Sequence, residues 1–174
     1  MSSIQFFRDT VLFARNAIED TLGGVSLEAA TQAPAGKSVC MAAHYAHVIA
    51  DQDYALHGLM LNAPPLVLSA FSDKAGVSSA PPMIGQPFDE WAAATTFDLA
   101  GLRAYARAVY DASDAHFTGL TDADLVRPVD LSMAGLGQQP LSFILTAGWI
   151  ANPLLHAGEI SLLKGLRGEK GYPM

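Results

Sequence analysis

The sequence predicts an all-α fold, a four-helix bundle with one long crossover connection. Four segments repeat apolar residues every three or four positions, and no two alternating runs read as a strand pair. A proline-rich stretch from Pro64 to Pro87 separates the second helical segment from the third, which sets the crossover. At 174 residues the chain suits one domain, taken as 1–174, large enough to bury a core without disulfides or a structural metal.

The first helix is predicted over 3–23. Ile4, Phe7, Val11, Ala14, Ile18 and Leu22 recur at helical spacing, Ser2 or Ser3 supplies an N-cap, and Gly23-Gly24 supplies the stop. The second is predicted over 38–62, with Ser38 as N-cap and Pro64-Pro65 beyond its end. The crossover that follows also holds Gly76, Gly85 and several serines, too irregular for a strand ladder, and its LVLSAF portion predicts a short helical turn. Leu99, Leu102, Tyr105, Ala106, Val109, Ala112 and Phe117 place a third helix over 98–119. A second irregular connection runs from Thr121 to Gly137, with a turn at TDAD and a brief extended piece around Val129 to Met133. The fourth helix is predicted over 140–166, with Pro140 near its first turn and Gly165 and Gly168 near its end.

Composition narrows the function. At 51% hydrophobic and 16% charged residues the chain is more apolar than a typical soluble domain, so a partner subunit is expected to cover part of it, as in a homodimer. A net charge of −7 and the absence of any Lys/Arg cluster work against a nucleic-acid partner. The single cysteine, Cys40, cannot form an internal disulfide, which fits a reducing cytoplasm. The N-terminal stretch carries Arg8, Asp9, Arg15, Glu19 and Asp20 and does not read as a signal peptide. No apolar run reaches the roughly 18 residues of a membrane span. A cytoplasmic protein acting on a small molecule, with no membrane partner, is the expectation.

The second helix, SVCMAAHYAHVIADQDYALHGLML, carries three histidines and two aspartates among apolar residues. At about 100° per residue, Cys40, His44, His47, Asp51 and Tyr54 fall within about 40° of one line. This polar stripe is flanked on both sides by Met41, Ala43, Val48, Ala50, Ala55, Leu59 and Leu61, so it lies within an apolar surface rather than opposite one. In the fourth helix, GWIANPLLHAGEISLLKGLRG, Asn152, Trp149 and Glu159 lie about −40°, +20° and −60° from His156 on the same wheel. Leu145, Ile160 and Leu163 share that face, which predicts that Asn152, His156 and Glu159 point into the bundle. Polar side chains aimed inward from two helices are how bundles build metal sites, and imidazole suits Zn, Ni or Fe.

The order of a histidine within HVIADQDYALHGL, a proline-rich crossover, and a last helix reading NPLLHAGEI before a Gly-rich tail resembles the DinB-like superfamily. That family includes YfiT-like hydrolases and thiol-dependent transferases and isomerases. The resemblance implies an up-down-down-up four-helix bundle, often dimeric. It also implies a divalent metal, held by one histidine of the second helix and an H-x-x-x-H pair on the fourth, that activates water or a low-molecular-weight thiol cosubstrate. Matched by position, His47 takes the second-helix place and His156 the second place of the pair. The first place is Asn152, where the family has histidine, and an amide oxygen is a weaker ligand for these metals. The resemblance thus gives a metal set of His47, Asn152 and His156, with Asp51 and Glu159 as substitutes.

His44 and His57 read as structural or exposed, since lone helical histidines usually are. Asp51, Tyr54, Trp149 and Glu159 are placed as pocket lining, although aromatic residues at core spacing commonly belong to the core. Cys40 reads as a buried, inert thiol, and His116 as a cation favoured by a helix C-terminus. Pro153 cannot donate to the carbonyl of Trp149, which predicts a kink or loosening there and a freed carbonyl for a buried network. No Gly-rich phosphate loop, G-x-S-x-G elbow, H-E-x-x-H or paired C-x-x-C occurs. Two readings follow. One is a divalent-metal-dependent hydrolase or thiol-dependent transferase or isomerase. The other is a metal-free small-ligand-binding or interaction protein on the same bundle. In either, the crossover and the Thr121 to Gly137 connection are expected to shape the mouth of the pocket.

Overall fold

The computed structural model describes residues 2–36, 38–83 and 87–173. Residues 84–86 of the crossover, Gly85 among them, and Lys37 before the second helix lie outside the described residues. Among those described, the chain is mostly helical. Its helices are α1 (Ser3–Leu22), α2 (Leu27–Thr31), α3 (Met41–Asp53), α4 (Phe88–Ala94), α5 (Leu99–Thr118), α6 (Leu141–Thr146) and α7 (Asn152–Leu166). A small antiparallel pair joins β1 (Pro128–Asp130) to β2 (Gln138–Pro140), with Val129 opposite Gln139.

The caps largely follow the sequence. Ser2 accepts from the Gln5 N–H at the start of α1, and Asp98 accepts from the Ala100 and Gly101 N–H groups at the start of α5. The first-turn N–H groups of Ser3 and Ile4 also donate to Asp122, so the Thr121 to Gly137 connection holds the positive end of α1. The TDAD turn is a 3-10 turn at Asp124–Val126, and LVL forms another at Leu66–Leu68.

Four expectations need correction. Ser38 is not the N-cap of the second helix. Backbone at Cys40 is extended, Val39 and Cys40 are buried there, and the helix begins at Met41. The long helices are not uniformly α. A π-helical segment, Tyr54–Met60, continues α3, and another, Ala147–Ala151, joins α6 to α7. The Thr121 to Gly137 connection contributes to a strand pair, because Gly135 and Gly137 adopt positive φ (73° and 63°) and turn the chain back. The short helices α2 and α4 escaped the periodicity argument, being too brief to show a repeat.

The long helices meet on faces built for close approach. α1 and α3 both lie along α7, and α3 also crosses α5. Ala42, Ala43, Ala46 and Ala50 are fully or almost fully buried on α3, letting neighbouring backbones come near. At the other end of the bundle Trp149 meets Phe117 edge-on at 5.3 Å between ring centroids, and Phe117 meets Phe7 likewise at 5.2 Å. Polar ties cross the helices too. The hydroxyls of Tyr45 and Tyr110 both donate to Glu19 Oε1, at 2.6 and 2.8 Å, joining α1, α3 and α5.

The described part of the crossover is fastened to the bundle at several points. Asp53, fully buried, accepts from the Leu66 and Val67 N–H groups and from the Tyr105 hydroxyl. Tyr54 donates to the Pro81 carbonyl, and Trp91 Nε1 to that of Ser79. Gly76 and Gly101 touch backbone to backbone, so a Cβ on either would collide with the other strand of chain.

Candidate metal centre

The facing turns of α3 and α7 bring three donors to one point. His44 Nδ1 lies 3.0 Å from His156 Nδ1. Glu159 Oε2 lies 3.1 Å from His44 Nδ1 and also contacts His156 Nδ1. One ligand atom from each of the three falls within 4.8 Å of the others, close enough to hold a metal ion. Two donors each about 2.1 Å from one ion, at right angles to each other, sit about 3.0 Å apart. The His44–His156 and His44–Glu159 separations are therefore those of neighbouring corners of one coordination shell.

The electrostatics suit a cation. Burial pushes the His156 imidazole down to about 4, with the His47 and His44 rings lowering it further and Glu159 opposing. Burial also lowers His44, against the pull of Glu159. Both rings are neutral at pH 7 and offer lone pairs, while Glu159, half exposed, supplies negative charge from the solvent side. His44 Nε2 is buried with no partner among the described residues, so no acceptor fixes that ring from behind.

The other residues singled out in the sequence surround this triad. His47 Nε2 lies 3.2 Å from Asp51 Oδ2, and the Asn152 amide donates to the same oxygen at 3.1 Å. Burial raises the Asp51 carboxyl above the usual range, opposed first by His47 and then by the Asn152 hydrogen bond. The His47 ring meets His156 edge-on at 4.9 Å and the Phe88 ring of α4 at 4.8 Å. Asn152 is thus hydrogen-bonded to Asp51, and His47 lies at ion-pair distance from the same carboxylate, directly beside the triad. His44, set aside in the sequence as structural, is the second-helix histidine that joins His156 and Glu159. The signal for it was present, since both histidines lie on the stripe. The family resemblance favours His47 for the residues that follow it.

Trp149 lies in the core, its Nε1 donating to Ser113 Oγ at 3.1 Å, and Tyr54 packs under the crossover. His57 is buried with Nδ1 2.7 Å from Asp53 Oδ1, off the hydrogen-bonding direction. Asp53 went unnoticed in the sequence because it lies off the stripe. Cys40 is a free, buried thiol pushed up by burial. The helix is loosened before Pro153 as expected, but the carbonyl taken up by a side chain is that of Gly148 rather than that of Trp149. The wide turn at Ala147–Ala151 precedes the proline, and Gln52 Nε2 donates to the Gly148 carbonyl at 3.2 Å. Neither described cavity is lined by the triad.

No described helix is long and apolar enough to cross a membrane. A crystal structure of a conserved protein from Enterococcus faecalis superposes with a TM-score of 0.79 at 18% identity, covering 97% of this chain and 99% of that one. That similarity shows the fold. No curated protein matches the sequence. Residues 11–157, most of the chain and all of the candidate centre but Glu159, match the DinB superfamily, and the chain belongs to that family.

Proposed function

We propose that this protein is a divalent-metal-dependent enzyme of the DinB type, acting on a small molecule by hydrolysis or by thiol-dependent transfer or isomerisation. The observation that supports it is the convergence of His44, His156 and Glu159 on one point. Two neutral imidazoles and a carboxylate suit Zn, Ni or Fe. When bound, such an ion supplies Lewis acidity that makes water or a thiol nucleophilic at neutral pH. The remaining residues orient the donors. Asp51 holds His47, Asn152 holds Asp51, and the His47 ring packs edge-on against His156. The set His47, Asn152 and His156 is the competing ligand assignment, with the Asn152 amide oxygen as the ligand atom and its nitrogen free to keep donating to Asp51. An up-down-down-up helix order and a homodimer belong to the same proposal.

A metal-free ligand-binding protein is the second reading, favoured by Asn152, whose amide is a weak metal ligand and is engaged with Asp51. Metal analysis of tag-free protein, followed by zinc titration of alanine variants against a chromophoric chelator, decides between them. Stoichiometric metal, with His44→Ala and His156→Ala weakening uptake about 100-fold and His57→Ala unchanged, supports the triad. Loss in His47→Ala with His44→Ala unaffected transfers the site to the competing set. Metal-free protein with no zinc uptake ends the enzyme reading.

A further inference from the structure

Two histidines of α3 flank His156 at nearly the same distance. The ring centroids of His44 and His47 lie 5.1 and 4.9 Å from that of His156, yet it is the His44 ring that brings a nitrogen to the point shared with His156 and Glu159. Nearness therefore does not select the donor. The His47 ring turns its Nε2 to Asp51 instead, 3.2 Å from Oδ2 and one turn along the same helix. Asp51 is itself fixed from the facing helix, because Oδ2 also accepts from the Asn152 amide at 3.1 Å. Asn152 opens α7 directly after the wide turn, where Gln52 ties α3 to the Gly148 carbonyl.

We infer that Asp51, anchored by Asn152, is a positioning residue that holds His47 off the ion and so keeps one place in its shell for an exogenous ligand. The inference rests on the metal reading of the triad. An ion such as zinc takes four protein donors at a closed structural site and three at a site that works on a ligand. A further imidazole beside the triad therefore threatens the open place. By drawing Nε2 to itself, the Asp51 carboxylate keeps His47 from filling it. Charge favours the same arrangement. Two neutral imidazoles and the Glu159 carboxylate leave a divalent ion with a net positive charge, which attracts an anionic ligand. Asp51 in the shell would cancel that charge, and donation from Asn152 holds it out.

The test follows cobalt(II) binding to the full chain by visible absorption, with azide as the exogenous ligand. The unmodified protein should take up stoichiometric cobalt, and azide should change its spectrum saturably. Asp51→Ala frees His47, so cobalt affinity should rise about tenfold or more and the azide response should disappear. Adding His47→Ala should undo both changes. Asp51→Asn, whose amide oxygen still accepts from Asn152, should behave as the unmodified protein. A merely structural role for Asp51 gives weaker cobalt binding in Asp51→Ala and no dependence on His47. Nitrogen-15 NMR of the unmodified protein needs no variant: zinc should give coordination shifts at a ring nitrogen of His44 and of His156 but not of His47. A coordination shift at His47, or Asp51→Ala with unchanged or weaker affinity or a retained azide response, would overturn the inference alone. Absence of any cobalt or zinc uptake would end the metal reading and this inference with it.

Discussion

His44 and His156 face each other Nδ1 to Nδ1 at 3.0 Å across the α3–α7 contact, with the Glu159 carboxylate against both. A buried and a partly buried imidazole this close resist protonation, and that resistance is measurable as stability.

In the unfolded chain an imidazole takes up its proton near pH 6.5, whereas folded His156 does so only near 4. Between those values the unfolded state binds more protons, so stability rises with pH across the window and is lost as pH falls from about 6.5 to about 4. His44 contributes with the same sign. Asp51, shifted the other way, offsets part of the loss. Metal-free protein should lose on the order of 2 kcal/mol between pH 7 and pH 4.5 in urea unfolding. His156→Gln should flatten the profile, and an equal slope in that variant would refute the account.

Asp53 joins α3, α5 and the start of the crossover through Tyr105 and the Leu66 and Val67 amides. Asp53→Ala leaves two backbone N–H groups and a hydroxyl buried without their acceptor. The expected cost is about 3–5 kcal/mol, against about 1 kcal/mol for Tyr105→Phe, which removes one donor. Urea denaturation measures both. A cost below about 1 kcal/mol for Asp53→Ala would show the crossover anchored elsewhere.

Phe6 and Phe13 lie one heptad apart on α1, and Leu155, Leu162 and Leu166 share one face of α7, all of them more than half exposed. We propose that these faces meet a second copy of the chain. Sedimentation at micromolar concentration should show a dimer, and Leu155→Lys with Leu162→Lys should yield a folded monomer. A monomeric unmodified protein would remove the proposal.

α1 and α5 were the most legible helices, because each repeats its apolar residues over more than five turns. The pairing of α3 and α7 at the candidate centre was legible in part. His156 and Glu159 lie on one regular stretch of α7, where 100° steps hold, and both reach the centre. Trp149 lies within the wide turn, where those steps fail, and it belongs with Phe117 in the core instead. That His44 meets His156 and Glu159 could not be read from spacing, because it depends on how α3 is rotated against α7. The β1–β2 pair was hidden for a different reason: three residues per strand are too few to alternate.

The wide turn at Ala147–Ala151 also bears on how this chain tolerates changes of length. One more residue than a regular helix needs is stored there, between the core half of the helix and the half carrying His156 and Glu159. Deleting a single residue within that turn can be absorbed by tightening it, leaving both halves aimed as they are. The same deletion at Leu154 would swing everything on one side of it through about 100° relative to the other, carrying His156 away from His44 or Leu145 out of the core. A length variant shortened at the turn should therefore keep most of its resistance to urea, while one shortened at Leu154 should not.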